Sequence, residues 1–441
     1  MSDIIVGLDI GTTKVCAVAG RLDDYGQLEI IGMGSAVSEG VRDGVVSNIN
    51  RTTTAIQQAL IAAEKDAQIE IGIVNVGIAG KHIRSVQQKG GITLRHKDEE
   101  ITMDDVIRLS NDMYRMITDP GHQIIHVIPQ QYTVDHEESI KDPVGMAGVR
   151  LDGQFNVITA SSNAIRNIKR CVDRAELEID DLILEPLASS ISVLSEEEKE
   201  AGVMIVDIGG GTTDVAIFYE GVLRHTAVIP FGGDIITSDI KQGCAVMPQQ
   251  AELLKVKFGR SLSEEANENE VVSIPGIRNR PPKEISIKNL AYIIEARMDE
   301  VIELAMAELR RSGFEHRLTA GVVLTGGGAL LKNIKQLFEY RTGLDARIGY
   351  PNEHLGKSKR DEIKNPMYAT AVGLVLAGFK ALEKTSASYD DEHMDGATNK
   401  QDNKHRVSDT SSNAGGNFFS SMLRKAKDLL IDDYDDSGYY Q

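Results

Sequence analysis

Two segments that lie far apart in the chain share one unusual pattern. Residues 9–14 and 207–214 each carry an aspartate followed by glycines and threonines, directly after the short apolar runs 4–8 and 203–206. The β-branched residues after each segment can form a returning strand, so each segment predicts a β-hairpin. Glycine lets backbone amides approach a phosphate closely, and threonine hydroxyls add donors. Two such hairpins in one chain predict paired domains that hold one nucleotide from both sides.

The residues at the hairpin tips are the predicted phosphate contacts. Because an aspartate repels a bare phosphate, Asp9 and Asp207 are predicted to hold Mg²⁺, mostly through water. Lys14 can reach the β- or γ-phosphate as a point charge. Either hairpin alone could equally be an ordinary turn with an exposed aspartate, so the pair is the stronger signal. The predicted contacts are Gly11, Thr12, Thr13 and Lys14 in the first hairpin and Gly209, Gly210, Gly211, Thr212 and Thr213 in the second.

Length and charge limit the class of protein. A chain of 441 residues with 41% hydrophobic residues is long enough for two or more packed domains. The formal net charge of -18 argues against nucleic acid as a partner. Cys16, Cys171 and Cys244 lack metal-binding spacing, which is typical of small buried residues in a reducing compartment. An early first strand and the absence of long apolar runs predict a cytoplasmic protein without a signal peptide or membrane span.

Three further segments carry polar or glycine-rich patterns that suit a nucleotide site. Gly326, Gly327 and Gly328 follow a predicted strand and would let a base or ribose lie against the backbone. Glu252 and Lys255 share one helical face, where they could bind ribose hydroxyls or form an ordinary exposed ion pair. Glu185 stands at a strand end before a proline, where it could orient an attacking water or act as a surface acid.

The order of these motifs resembles the superfamily of actin, DnaK-type chaperones and sugar kinases. Residues 185–190 and 366–376 look like the two connecting segments of that superfamily. Within it, the chain closely resembles the FtsA family of bacterial cell-division proteins over nearly its full length. Residues 125–135, 140–151 and 232–240 match that family's patterns, and their combination is specific.

The resemblance implies an α/β, actin-like ATPase fold with two lobes, each a mixed sheet flanked by helices, and an inserted FtsA-type small α/β subdomain. Lobe 1 is expected from 1–83, 163–201 and 366–382, with the inserted subdomain at 84–162. Lobe 2 is expected from 202–245 and 318–365, with a small subdomain at 246–317. Residues 367–382, rich in alanine and glycine, predict a tightly packed helix, and 267–283 predict a loop.

The resemblance also implies ligands and partners. ATP with Mg²⁺ is expected between the lobes, any hydrolysis is slow at most, and Glu185 and Lys14 are its candidate catalytic residues. The implied partners are other copies of the chain in a filament, the C-terminal tail of the tubulin-like protein FtsZ on residues 246–317, and later division proteins on the inserted subdomain. Arg297 matches a family position for the FtsZ tail, although pairing with Glu300 is an equal alternative.

The C-terminal region predicts a membrane anchor. Residues 383–416 are almost free of apolar side chains and predict a disordered linker. The spacing of apolar residues in 417–431 predicts an amphipathic helix with cations on its polar face, a pattern typical of a helix at an anionic membrane surface. Docking on the protein's own core or in a partner's groove are the alternatives, and the acidic residues 432–441 oppose lipid binding. The predicted membrane-facing residues are Phe418, Phe419, Met422, Leu423, Leu429 and Leu430.

The terminal helix predicts a peripheral protein on the cytoplasmic face of the plasma membrane, and the resemblance implies that it holds the FtsZ ring there at the division site. A metabolite kinase of the same superfamily is the main alternative, but it would need a second substrate pocket. A chaperone would need a peptide-binding β-domain after the nucleotide module. A pilus-assembly relative is disfavoured by residues 140–151 and by the terminal helix.

Overall fold

The computed structural model describes residues 3–94, 100–276, 281–352, 355–356 and 361–395, with side chains as far as Glu383. Lobe 1 is built on a sheet with the order β11-β6-β1-β2-β3, in which β1 and β2 form the first predicted hairpin. Helix α1 is capped by the Asn48 side chain and packs its apolar face on this sheet. The first elements are β1 (Ile4–Ile10), β2 (Lys14–Leu22), β3 (Leu28–Val37), β4 (Val41–Arg42), β5 (Val45–Val46), α1 (Ile49–Ala67) and β6 (Ile73–Ile78).

The inserted subdomain follows β6 and has a sheet and a core of its own. Its elements are β7 (Arg84–Thr93), α2 (Met103–Tyr114), β8 (His122–Val134), β9 (Glu137–Ile140) and β10 (Arg150–Ser161). The sheet order is β7-β10-β8-β9, and its core includes Leu109, Leu151 and Phe155. Thr102 caps α2 in a reciprocal capping box with Asp105, since the side chain of each accepts from the backbone amide of the other.

The chain then returns to lobe 1 and crosses to lobe 2. The returning elements are α3 (Ser162–Arg174), β11 (Glu178–Leu184), α4 (Glu185–Val193) and α5 (Glu196–Ala201). Lobe 2 contains β12 (Val203–Ile208), β13 (Thr213–Tyr219), β14 (Val222–Ile229), α6 (Gly233–Gly243), α7 (Pro248–Phe258), β15 (Val271–Ile274), β16 (Lys283–Ser286), α8 (Ile287–Ser312), β17 (Val322–Thr325), α9 (Ile334–Thr342) and β18 (Ala346–Ile348).

The two lobe sheets have the same topology. Lobe 2 has the order β14-β13-β12-β17-β18, an antiparallel meander continued by parallel strands, as in lobe 1. The hairpins β1–β2 and β12–β13 therefore occupy equivalent places in the two lobes. The expectation of a loop at 267–283 was wrong in part, because β15 pairs with β16 in a small antiparallel hairpin.

The final helix, α10 (Ala369–Asp395), begins close to the predicted start and continues past residue 382 into the expected linker. Helices α4 and α10 cross at Ala188 and Gly373, and a Cβ on Gly373 would lie 1.8 Å from the Ala188 carbonyl oxygen. Within the described ranges, no helix is long and apolar enough to cross a membrane. Residues 396–416, the predicted helix at 417–431 with its six apolar residues, and the acidic tail at 432–441 lie outside the described residues.

Candidate nucleotide site between the lobes

The two glycine-rich hairpins adopt matching turns. The amide of Gly11 donates to the Lys14 carbonyl at 3.0 Å, and the amide of Gly209 donates to the Thr212 carbonyl at 2.9 Å. In the strand registers, Asp9 is opposite Cys16 and Asp207 is opposite Asp214. The equivalent position therefore carries a carboxylate in lobe 2 and a thiol in lobe 1.

The tips of the hairpins meet face to face across the two lobes. A Cβ on Gly210 would lie 1.7 Å from the Thr13 hydroxyl oxygen, and one on Gly211 would lie 2.6 Å from that of Thr12. Both approaches are closer than a side chain permits, so glycine is required for this contact. The Thr12 hydroxyl also accepts from the Gly44 amide at 3.1 Å, which ties the β4–β5 turn to the same place.

Four carboxyl groups gather behind these tips, and their pKa values are all raised. Burial raises the pKa of Asp9 to about 6, with Lys14 opposing the shift and Asp207 adding to it. Burial and the nearby Asp207 raise the pKa of Asp214 to about 8. Burial, then Asp9, Asp214 and Asp207, raise the pKa of Glu185 well above its usual range. Such a cluster of acids favours a cation in its midst.

Asp207 is held in place by hydroxyl groups from the two crossing helices. Ser189 on α4 donates to Asp207 Oδ2 at 2.6 Å, and Thr370 on α10 donates to the same oxygen at 3.3 Å. The Ser189 and Thr370 hydroxyl oxygens are also 3.0 Å apart. Burial raises the pKa of Asp207, while these two hydrogen bonds oppose that shift.

Sequence reasoning missed Asp214, Ser189 and Thr370 as site residues. Asp214 closes the second hairpin motif, so its identity was visible, but its inward orientation was not. Its Oδ2 accepts from the Thr212 hydroxyl at 3.1 Å. Its Oδ1 is buried and has no hydrogen-bond partner among the described residues. Ser189 and Thr370 lie in the two connecting segments, where no local pattern indicates that both reach Asp207.

The Lys14 side chain contacts the segment just before α10 and is not directed into open space. Its Nζ donates to the Met367 carbonyl oxygen and lies 3.6 Å from the centre of the Tyr368 ring. Burial lowers the pKa of Lys14, although Cys16, Asp9 and Asp207 oppose the shift. A phosphate contact would require this side chain to leave the Met367 carbonyl, so that role stays a prediction.

Glu252 and Lys255 form an ion pair on α7 at 2.8 Å, but the pair is not simply a surface feature. Only 13% of the Lys255 side chain is exposed, against 43% for Glu252. Lys255 Nζ donates to the Gly233 carbonyl at 2.9 Å, and Glu252 accepts from the Thr237 hydroxyl. The amide of Gly233 donates in turn to the Gly209 carbonyl at 2.9 Å. The pair therefore lies beside the second hairpin.

The glycine turn after β17 also lies against the second hairpin. Gly326 has a φ of 81°, and a Cβ there would lie 2.3 Å from Asp207 Oδ1. A Cβ on Gly328 would collide with the Ile208 side chain, whereas one on Gly327 would meet no atom within 4 Å. Gly326 and Gly328 are thus required for packing, and Gly327 is the member of the turn with free space for a ligand.

Arg297 is engaged within the protein. Its guanidinium binds both carboxylate oxygens of Asp239, at 2.6 Å and 3.2 Å, and also pairs with Glu300. It therefore ties α8 to α6. Its expected contact with an acidic partner would compete with Asp239, and this role stays a prediction.

The residues present fit a magnesium nucleotide. The unpartnered Asp214 oxygen, the carboxylates around it and the close glycine tips provide acceptors for a hydrated cation and amides for phosphate. In the part of the chain that the structure describes, no three acidic, cysteine or histidine side chains are close enough to bind a metal directly. The binding of Mg²⁺ by Asp9 and Asp207, mostly through water, stays a prediction.

The duplicated sheets and facing hairpins define the chain as a protein with an actin-like ATPase fold. Similar solved structures include a type IV pilus biogenesis complex of PilM and PilN, with a TM-score of 0.58, 18% identity, and coverage of 85% of this chain and 98% of that one. The ethanolamine utilization protein EutJ of Carboxydothermus hydrogenoformans has a TM-score of 0.50 and 15% identity, with 85% and 90% covered. These similarities concern the fold alone.

The chain belongs to the FtsA family. The family model described as cell division protein FtsA matches residues 204–373, and the model for the SHS2 domain inserted in FtsA matches residues 80–159. Cell division protein FtsA of Pseudomonas aeruginosa is 43% identical, with 86% of this chain and 89% of that protein covered. The proteins of that name in Escherichia coli strain K12 and Bacillus subtilis are 38% and 36% identical, each over 85% of this chain. The predicted family and the inserted subdomain are confirmed.

Proposed function

We propose that this chain binds ATP with Mg²⁺ between its lobes and acts as an actin-like cell-division protein that polymerises and tethers the FtsZ ring to the cytoplasmic face of the plasma membrane. The main support is the contact between the two hairpin tips, with four carboxyl groups and one lysine behind them. A triphosphate that bridges these tips would fix the lobes relative to each other and favour filament contacts.

The proposed roles of the residues follow from their positions. Backbone amides at Gly210 and Gly211 bind phosphate oxygens, because the amides of Gly11 and Gly209 already donate within their own turns, and Lys14 adds a positive charge. Bound Mg²⁺ would neutralise charge between the phosphates and the carboxylates. Glu185, at the first turn of α4, would orient a water for slow hydrolysis. In this proposal the nucleotide acts mainly as a conformational switch, and any hydrolysis is slow.

The proposed partners rest on membership of the family and on the sequence of the tail. The FtsZ tail would bind the small subdomain at 246–317, with Arg297 released from Asp239, and later division proteins would bind the inserted subdomain. The helix at 417–431 would attach the chain to anionic lipid. Since a single helix of this size binds reversibly, filament formation would strengthen attachment through multivalency.

We expect Lys14→Ala to weaken binding of Mg·ATP by about ten-fold, the effect of losing one charge-assisted contact. Equilibrium titration with a fluorescent ATP analogue measures this change. Lys65→Ala, which removes the same charge from the exposed end of α1, is the matched control and should bind as the unchanged protein does. Equal affinity in both variants would contradict a phosphate contact by Lys14.

We expect the full chain to co-sediment with vesicles that contain anionic lipid, and a chain that ends at residue 416 to stay in the supernatant. A chain that ends at residue 431 is the control, since it keeps the helix and loses only the acidic residues, and it should bind at least as strongly. Each form is measured with and without ATP. Equal sedimentation of the 416-residue form would refute the anchor.

A further inference from the structure

His126 connects the inserted subdomain directly to the start of α4. It lies in β8, within the segment 125–135 that identifies the family in sequence. Its Nε2 accepts a hydrogen bond from the Leu184 amide at 3.0 Å. Because Nε2 is the acceptor, the ring proton is on Nδ1 and the imidazole is neutral. Burial lowers the pKa of His126, with Asp181 opposing the shift, and this keeps the ring neutral near neutral pH.

The amide that His126 binds lies at the start of α4, the helix that carries two residues of the cleft. Leu184 is the last residue of β11 and the N-cap of α4, and its side chain makes no capping hydrogen bond. The next residue is Glu185, and one helical turn further along, Ser189 donates to Asp207. One short, rigid helix therefore joins His126 to two of the four carboxyl groups in the site.

A shared hydrophobic core reinforces this connection. The Leu184 side chain is fully buried in a cluster with Ile158 of the inserted subdomain and with Val203, Ile205 and Phe218 of lobe 2. Ile125 and Ile128, on either side of His126, pack against the same cluster. The inserted subdomain thus shares one core with α4 and lobe 2, and interiors packed in this way transmit displacements.

Polar contacts also hold β8 to lobe 2, four residues beyond His126 along the strand. The Gln130 side-chain amide donates to the Leu223 carbonyl at 2.9 Å, and Arg224 donates to the Gln130 carbonyl at 3.1 Å. Strand β8 is therefore attached at His126 to the start of α4 and at Gln130 to β14. A change in the relative position of α4 and lobe 2 must strain or move this strand.

We propose that His126 is a positioning residue that couples the nucleotide cleft to the inserted subdomain through the Leu184 amide. This inference rests on the proposed binding of nucleotide between the hairpins. Nucleotide that fixes the lobes fixes α4, and the His126–Leu184 hydrogen bond passes that constraint to β8. By reciprocity, a partner that holds the inserted subdomain changes the nucleotide affinity by the same factor.

The test compares His126→Leu, which removes the acceptor at similar volume, with His126→Gln, whose amide oxygen can accept from the same N–H. Full-length proteins are used, and thermal unfolding establishes that each variant is folded. Two quantities are measured: the affinity for Mg·ATP, and hydrogen exchange of residues 122–134 and of the Leu184 amide with and without Mg·ATP.

In the unchanged protein and in His126→Gln, Mg·ATP should slow exchange of residues 122–134. In His126→Leu, that protection should be lost and the affinity should fall by about five-fold, the lower end of measured allosteric couplings. Protection and affinity that match the unchanged protein in folded His126→Leu would overturn the coupling. If His126→Leu does not fold, the decision rests on His126→Gln, in which loss of protection overturns the proposal.

Failure of the coupling and failure of the proposed function give different results. An unchanged protein that does not bind Mg·ATP refutes the nucleotide site itself. An unchanged protein that binds Mg·ATP without altering exchange at 122–134 refutes only the coupling through His126.

Discussion

Removal of Mg²⁺ should weaken ATP binding to this protein by at least about a hundred-fold, because like charges a few ångströms apart at a partly buried site repel by several kcal/mol. Asp9, Glu185, Asp207 and Asp214 all lie near the hairpin tips that would hold the triphosphate. Lys14 is the nearby cation whose charge opposes the raised pKa values of Asp9 and Asp207. Without a divalent ion, each carboxylate that is ionised opposes the phosphates.

Equilibrium titration of ATP in Mg²⁺ and in excess EDTA measures this effect. Asp207→Asn offers a matched comparison, because asparagine keeps the shape and the acceptor oxygen for Ser189 while it removes one negative charge. In this variant the difference between the two conditions should shrink. An affinity for ATP that is the same in EDTA and in Mg²⁺ would contradict a cation between phosphate and carboxylates.

Gly373→Ala should lower the free energy of unfolding by about 3 kcal/mol, the upper range for an added methyl group in a packed interior. The new Cβ would lie 1.8 Å from the carbonyl oxygen of Ala188 and 2.3 Å from its carbonyl carbon. These are backbone atoms of α4, so no side chain can rotate away. Alanine favours a helix over glycine by about 1 kcal/mol, which is too little to offset the forced separation of the helices.

Thermal unfolding of the full chain measures this loss, and nucleotide titration shows whether the cleft is affected too. Ser189 and Thr370 flank the crossing, so their hold on Asp207 should be disturbed in Gly373→Ala. Gly72→Ala is the control, since a Cβ there meets no atom within 4 Å. A melting temperature for Gly373→Ala that equals that of Gly72→Ala would show that the crossing is looser than described.

Local chemistry was sufficient for much of the fold. The hairpins at 9–14 and 207–214 and the start of α10 follow from glycine tips and from a segment rich in alanine and glycine, which are features of a few neighbouring residues. The local sequence is a weaker guide to secondary structure where the preference of the residues for a loop competes with pairing between strands. The polar segment 267–283 predicted a loop, but pairing of β15 with β16 gave it strands.

The sequence by itself determined the family and the duplicated glycine hairpins, and it predicted a nucleotide ligand, because these depend on residue types at short spacing. Only the tertiary structure decided which side chains meet. Lys14 is bound to the Met367 carbonyl, Ser189 and Thr370 together hold Asp207, and His126 binds the Leu184 amide. Each of these contacts joins residues far apart in the chain, so it depends on how sheets and helices pack and leaves no pattern in the local sequence.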